Sequence, residues 1–261
     1  MRLPFYIIIL SILFTSCEKV VDLNLGINNP TLVIEGNITN KPGPYFVKLT
    51  KTVSFAEPSV YPVVNNATVI ITDNAGQKDT LAYTSNGIYK TNALQGISGR
   101  TYSLTVIAEG KTYNAKSTMP QNVLLDSLKY NPIQFGGTII YTVIPIFVDP
   151  IVTGNNYHFV IKINNVLDKT YIVDNDNVSN GQVYARPLFS NDIEIKPGDN
   201  VQVEMRCIDS NSYTYYFTLS QAQTDGPGGG TTPSNPPNGI NGGALGLFSA
   251  YTTQTKSIII P

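Results

Sequence analysis

The sequence predicts an all-β protein built as antiparallel sandwiches, and three observations carry that expectation. Apolar and polar residues alternate along most of the chain, the period of a strand with one buried face. The alternating runs are short, rich in Val, Ile, Thr and Tyr, and separated by Asn, Asp, Gly and Pro clusters that favour turns. The 261 residues also leave room for one large domain or two of ordinary size. Each such strand offers one apolar face that only a second sheet can cover, so the expectation is two β-sandwich domains of immunoglobulin or fibronectin III type.

The amino terminus reads differently. Arg2 gives a positive start and Phe5 to Phe14 (FYIIILSILF) is unbroken and apolar. A membrane-spanning helix needs about 20 such residues, whereas a run of this length suits the core of a signal peptide. Thr15 and Ser16, both small, then lead into Cys17. That is a lipobox arrangement: a peptidase cuts before the cysteine once its thiol carries diacylglycerol. Residues 1–16 are therefore expected to be a lipoprotein signal peptide and 17–30 a tether, with Cys17 lipidated and palmitate among its acyl chains. Two or more chains hold stably to a bilayer, so the anchor replaces a transmembrane helix. The alternatives are an ordinary signal peptide with a chance cysteine, or a buried first strand.

A first domain is expected over 31–119. Its strands are Thr31 to Ile38, Tyr45 to Thr50, Thr68 to Thr72, Thr101 to Ile107 and Lys111 to Lys116. Turn signals such as Asp73-Asn74-Ala75-Gly76, Asn86-Gly87 and Glu109-Gly110 stand between them. Met119-Pro120 ends this set. A second domain is expected over 123–261, with strands at Ile139 to Val148, Tyr157 to Ile163, Lys169 to Val173 and Val201 to Cys207. Ser210 to Gln223 is the one segment that reads as a helix, capped by Asp209 or Ser210, although its aromatics suit a strand nearly as well. A Gly, Pro and Asn-rich loop follows at 226–243, and Leu245 to Tyr251 and Lys256 to Ile260 return as closing strands.

Composition narrows the function. A formal net charge of -1, with 13% charged residues, offers no basic stripe for phosphates, so nucleic acid is excluded as an expected partner. Cys17 and Cys207 are the only cysteines, and acylation of the first leaves the second unpaired. Cys207 shares an alternating face with Val201, Val203 and Met205, which predicts a buried, inert thiol. His158, the only histidine, alternates with Tyr157 and Phe159 and is expected to face solvent. The sequence has no H-E-x-x-H, no G-x-S-x-G and no available cysteine nucleophile, so no catalytic residue is assigned and no enzyme is expected. A carboxylate pair of glycosidase type is left open, because such residues meet in space and not in spacing.

Weaker patterns complete the candidates. Asp174 to Gly181 places oxygen ligands on alternate residues before a glycine, as calcium loops do, but lacks the closing acid. It reads as a hairpin loop, and no metal or other cofactor is assigned. Tyr213, Tyr215 and Tyr216 are expected to pack, although such rings can also stack sugars. Gly242-Gly243-Ala244-Leu245-Gly246 lacks the Lys-Ser or Lys-Thr of a phosphate loop and reads as close backbone packing. Asp79-Thr80-Leu81 and Asp126-Ser127-Leu128 match an O-glycosylation sequon on Thr80 and Ser127, or are plain turn-to-strand junctions.

A resemblance covers most of the chain. Cys17-Glu18-Lys19-Val20-Val21-Asp22, Leu32 to Gly36, Pro42 to Tyr45, Gly99-Arg100-Thr101-Tyr102 and Lys111-Thr112-Tyr113 carry it first. Asn235-Pro236-Pro237-Asn238-Gly239-Ile240, Gly242 to Gly246 and Phe248-Ser249-Ala250-Tyr251 carry it most specifically. The chain resembles the DUF4249 family of Bacteroidetes outer-membrane lipoproteins, in which Phe14 at the place of the usual Leu, Val or Ile is tolerated. The resemblance implies an outer-membrane location and an association with TonB-dependent transporters, and it implies no catalytic residue. The expected function is an accessory or ligand-binding lipoprotein beside such a transporter, anchored through its lipid, ligand unknown. The alternative is a structural or adhesive surface protein. Replacing Cys17 (Cys17→Ala) should release the protein from the membrane or leave an unlipidated precursor. A variant that stays in the pellet through a carbonate wash would end the lipoprotein reading.

Overall fold

A computed structural model describes residues 30–54, 60–178, 180–223 and 235–261; the expected signal peptide, Cys17 and the tether up to residue 29 lie outside them. Among the described residues no helix is long and apolar enough to cross a membrane. The chain is nearly all-β. The first eight strands are β1 (Leu32–Thr39), β2 (Phe46–Lys51), β3 (Ala67–Asp73), β4 (Lys78–Thr80), β5 (Ala82–Tyr83), β6 (Ile88–Lys90), β7 (Thr101–Ala108) and β8 (Lys111–Thr118). Then come β9 (Ser127–Phe135), β10 (Thr138–Val148), β11 (Asn156–Ile163), β12 (Val166–Leu167), β13 (Ile172–Asn175), β14 (Val183–Tyr184) and β15 (Asn200–Ile208). Helix α1 (Ser210–Gln223), β16 (Ile240–Asn241) and β17 (Leu245–Ile259) close the chain.

The turn chemistry is as the sequence indicates. Asn86, Glu109, Asn164 and Asn165 hold positive φ in tight turns, the geometry of hairpin loops whose twist matches the strands they join. Alternation also holds: in β7 Tyr102, Leu104 and Val106 are buried and the residues between them are not. In β15 the buried set is Val201, Val203, Met205 and Cys207, with Ile208 beyond. Cys207 is a free buried thiol, and burial pushes its pKa up. Asp209 is the helix cap, its Oδ1 accepting the Ser212 amide at 2.8 Å.

Two hydrophobic cores form. The first gathers Ile34, Leu49, Ile71, Tyr89, Tyr102 and Leu104, and the second Phe147, Tyr157, Phe159, Tyr184, Val203 and Met205. In the second, Phe147 and Tyr184 stack with centroids 4.6 Å apart, and the Tyr157 hydroxyl donates to the buried Asp149 carboxylate. A five-stranded sheet, β16-β8-β7-β3-β4, covers the first core, and a three-stranded sheet, β14-β10-β9, covers the second. The opposite wall of both is one nine-stranded sheet, β12-β11-β15-β17-β1-β2-β6-β5, with β13 also paired to β11.

That shared sheet differs from the expectation in three ways. The two closing strands are one strand of 15 residues, β17, because Thr252 and Thr253 are buried and continue the ladder without a turn. Its first half pairs parallel with β1, Val33 against Leu245 through Thr39 against Tyr251, so the sandwiches are not wholly antiparallel. Its second half pairs antiparallel with β15, from Cys207 against Thr252 to Asn200 against Ile259. The segment Ile240–Ala250, expected to belong with 123–261, packs in the first core through Ile240, Ala244, Phe248 and Ala250. Part of the expected 226–243 loop is thereby a strand, Ile240–Asn241 pairing with Ala115 and Asn114; residues 224–234 lie outside the described residues.

Gly246 brings β17 close against the main chain of β1. Its φ is +112°, and a Cβ there would sit 2.1 Å from the Ile34 carbonyl oxygen. Gly243, also at positive φ, has open space around the same position. Gly246→Ala should therefore cost about 3 kcal/mol or more, because strain and collision with main chain add, and Gly243→Ala only about 1 kcal/mol. Chemical denaturation of both variants checks this, and equal losses would refute it.

Candidate functional site

The alternation that fills the cores sends a second set of side chains to the outer face of the shared sheet. From β11 these are His158, Val160 and Lys162, from β15 Glu204 and Arg206, and from β17 Leu247, Ser249 and Tyr251. Register aligns His158 with Arg206, and Val160 with Glu204. Glu35 and Asn37 of β1 and Phe46 of β2 continue the face. Helix α1 lies over part of it, and the segment 167–171 walls one side. Together they enclose a cavity of about 660 Å³, within the range that takes small organic ligands.

The floor of the cavity is polar and bonded. Arg206 donates from Nε and Nη2 to the two carboxylate oxygens of Glu204, each at 2.9 Å, and the Thr253 hydroxyl donates to Glu204 Oε1 at 2.7 Å. The Arg206 guanidinium also lies 4.9 Å from the Tyr251 ring centroid, a cation–π contact. Burial alone would raise the Glu204 carboxyl, but the hydrogen bonds and charge of Arg206 hold it below the usual carboxylate range. Burial likewise opposes the charge on Arg206, which Glu204 more than restores.

His158 departs from its expected place at the surface. It is only 4% exposed, because α1 lays Tyr216 on its ring at 4.1 Å between centroids. Its Nδ1 has no hydrogen-bond partner among the described residues. Burial, aided by the nearby Arg206 charge, pushes its pKa down to about 3, so the ring is neutral across the physiological range. Tyr171 and Tyr215 flank Tyr216 at 5.9 and 5.7 Å, giving the cavity an aromatic side. Burial raises Tyr216 to about 12, keeping its hydroxyl protonated.

The other sequence candidates are scattered. Tyr213 stacks on Phe217 and accepts from Asn175 Nδ2, away from the cavity floor. In the calcium-like stretch, Asp174 accepts from Arg186 and the Tyr184 hydroxyl, and Asp176 from the Asn155 amide. Among the described residues no group of three His, Cys, Asp or Glu could hold a metal. Gly242, like Gly246, lies against main chain, with a Cβ position 2.8 Å from the Thr112 carbonyl oxygen. Thr80, in β4, and Ser127, at the start of β9, are both exposed and lie apart from the cavity. Cys17 is outside the described residues.

These features define a two-core β-sandwich protein with a helix-covered cavity on the sheet that joins the cores. Residues 18–257 match the model of the family described as "Domain of unknown function (DUF4249)", and the chain belongs to that family. No curated protein matches the sequence. Among solved structures it is similar to a two fibronectin type-III domain segment from chicken tenascin, at 12% identity and a TM-score of 0.26, over 89% of this chain and 99% of that one.

The pKa of His158 makes a signed prediction. Its ordinary value is 6.5 and the folded value about 3, so between these the unfolded chain binds the proton and the folded one does not. Stability is therefore lost as pH falls below 6.5. By pH 5, above the range where most carboxylates titrate, the loss is about 2 kcal/mol. His158→Phe keeps the stack on Tyr216 and should flatten that slope. Denaturant melts at a series of pH values decide it, and an unchanged slope would show that His158 is accessible to protons in the folded state.

Proposed function

We propose that this chain is a non-catalytic, lipid-anchored outer-membrane lipoprotein that binds a small ligand in the cavity under α1 and works beside a TonB-dependent transporter. The observation that carries the binding reading is the polar floor under an aromatic wall, with the buried, unpartnered Nδ1 of His158 beside it. A buried polar atom without a partner costs about 1–3 kcal/mol, a cost that packing alone does not explain. Catalysis is disfavoured by the same residues: Glu204 is ionised with both oxygens engaged, and His158 is neutral and covered, so neither is poised to transfer a proton. The lipid anchor rests on the Phe5 to Cys17 pattern, and the transporter partnership on family resemblance. Attachment of sugar to exposed Thr80 and Ser127 belongs to the same cell-surface reading.

The reading predicts that affinity purification of the tagged, full-length chain from detergent extracts brings down a large outer-membrane β-barrel, identified by mass spectrometry. It also predicts that native mass spectrometry of the purified chain finds a small molecule that Tyr216→Ala releases. No co-purifying barrel would favour the structural or adhesive alternative, and no cavity-dependent small molecule would remove the binding reading.

A further inference from the structure

Resting on the binding reading above, we propose that the cavity takes a neutral saccharide, its ring faces on the tyrosines of the aromatic side and its hydroxyls bonded to the charged and polar side chains around them. The charges of the lining cancel: Glu35, Asp168 and Glu204 stand against Lys162, Lys169 and Arg206. Glu204 and Arg206 satisfy each other on the floor. Burial alone would raise the Asp168 carboxyl, but the Ser190 hydroxyl and the amides of Thr170 and Ile193 donate to it and hold its pKa low, so its charge stays. Glu35, Lys162 and Lys169 are exposed and form no ion pair among the described residues. A ligand anion drawn by the lysines therefore also meets Glu35 and Asp168, and a ligand cation drawn by the acids also meets the lysines. Either ion would lose hydration on entry with no net charge to replace it.

A purely apolar ligand fits no better. The tyrosines and Phe46 share their space with Glu35, Asn37, Lys162 and Lys169, and a flat hydrocarbon seated there would take water from those side chains and return no hydrogen bond. A saccharide carries both kinds of surface in one body. Its ring C–H bonds, slightly positive, meet the negative faces of aromatic rings, and its hydroxyls donate and accept around the edge. For the first contact, Tyr216 is backed by the His158 ring at 4.1 Å, with Tyr171 and Tyr215 at 5.9 and 5.7 Å from it. For the second, Glu35 accepts, Lys162 and Lys169 donate, and Asn37 does both. Burial raises the Tyr215 pKa, and Tyr171 and the Glu35 charge add to it, so that hydroxyl stays a donor as well. A neutral ligand held in this way owes nothing to long-range attraction, and its affinity is insensitive to salt.

The test is an array of neutral, acidic and basic glycans probed with the tagged, full-length chain in detergent buffer, followed by calorimetry on the neutral glycan retained most strongly. At least one neutral glycan is expected to be retained, and its affinity should stay within about twofold between low and high salt. Tyr171→Ala should weaken it about tenfold. Glu35→Ala, at an exposed position where the thermal melt stays at the parent value, should weaken it about fivefold. Retention of charged glycans alone, or an affinity that falls steeply with salt, overturns the neutral assignment and leaves the cavity as a binding site. A neutral glycan that both variants bind as the parent does sits elsewhere on the chain and overturns it too. If no glycan is retained, the assignment fails, and the broader binding reading is decided separately by the co-purifying small molecule and its release by Tyr216→Ala. A molecule released in that way that is not a saccharide overturns the assignment alone.

Discussion

The structure depends on one hydrogen-bond ladder changing partners in mid-strand. β17 begins on β1 and ends on β15, so the same strand closes both cores, and the two sandwiches share a wall. At the change of partner, backbone donors lose their strand neighbour, and a buried unpaired amide is costly. Side chains take them instead. The Ala250 amide donates to Ser117 Oγ at 2.8 Å, and the Thr253 amide to Asn40 Oδ1 at 2.9 Å. Ser117 in turn donates to Asp209 Oδ2, whose other oxygen caps α1. The switch point and the start of the helix are thus one bonded network, joining β8, β15 and β17.

The position of the cavity follows from that network. Ser212 in the first turn of α1 bonds Ser249 of β17, fixing where the helix leaves the sheet. One turn further on, Tyr216 comes down on His158, and at the far end the Gln223 side chain bonds the main chain of Lys169 and Tyr171. The helix has no apolar stripe to bury; Ser212 is its only buried residue among those described. It therefore rests on the polar outer face of the sheet at its ends and through aromatic rings, and the unfilled space between helix and sheet is the cavity.

Most of the fold was legible because it is local. Alternation at β1, β7 and β15 and positive-φ turns at Asn86, Glu109 and Gly110 are written in adjacent residues. What failed to show was pairing at a distance. Leu245 to Ile260 reads as two strands because nothing local says that Thr252 and Thr253 will be buried by different neighbours, and β16 reads as loop because Asn235 to Gly243 has the composition of one. The site was nearly invisible. His158 reads as exposed on its own strand, since the residue that covers it, Tyr216, lies 58 positions away on a helix whose aromatics read as packing or as a sugar-stacking surface, with nothing to tie them to His158. Glu204 and Arg206 do sit two apart in an alternating strand, which places both on one face; that spacing was the one available signal, and it takes the helix above to make it a site.

The polar floor also bears on why this face is kept. Two charges withdrawn from water lose hydration that their attraction only partly restores, and apolar residues of similar size commonly stabilise a fold more. The pair Glu204–Arg206, the bonded Thr253 and the unpartnered Nδ1 of His158 together form a costly arrangement where Val, Leu and Met would pack well. The cores show that this chain does pack in that way elsewhere: Ile161, Val203 and Met205 fill the inner face of the same strands. On the outer face, beneath the helix and beside a cavity wall rich in tyrosine, this polarity is more than stability asks for, which is the ground of the binding proposal. Local strain and uncompensated polar groups mark places where function can hold them against the general preference for apolar packing; of the three buried side-chain polar atoms without a partner among the described residues, His158 Nδ1 lies under α1, and Asn180 Oδ1 and Thr252 Oγ1 lie outside the cavity.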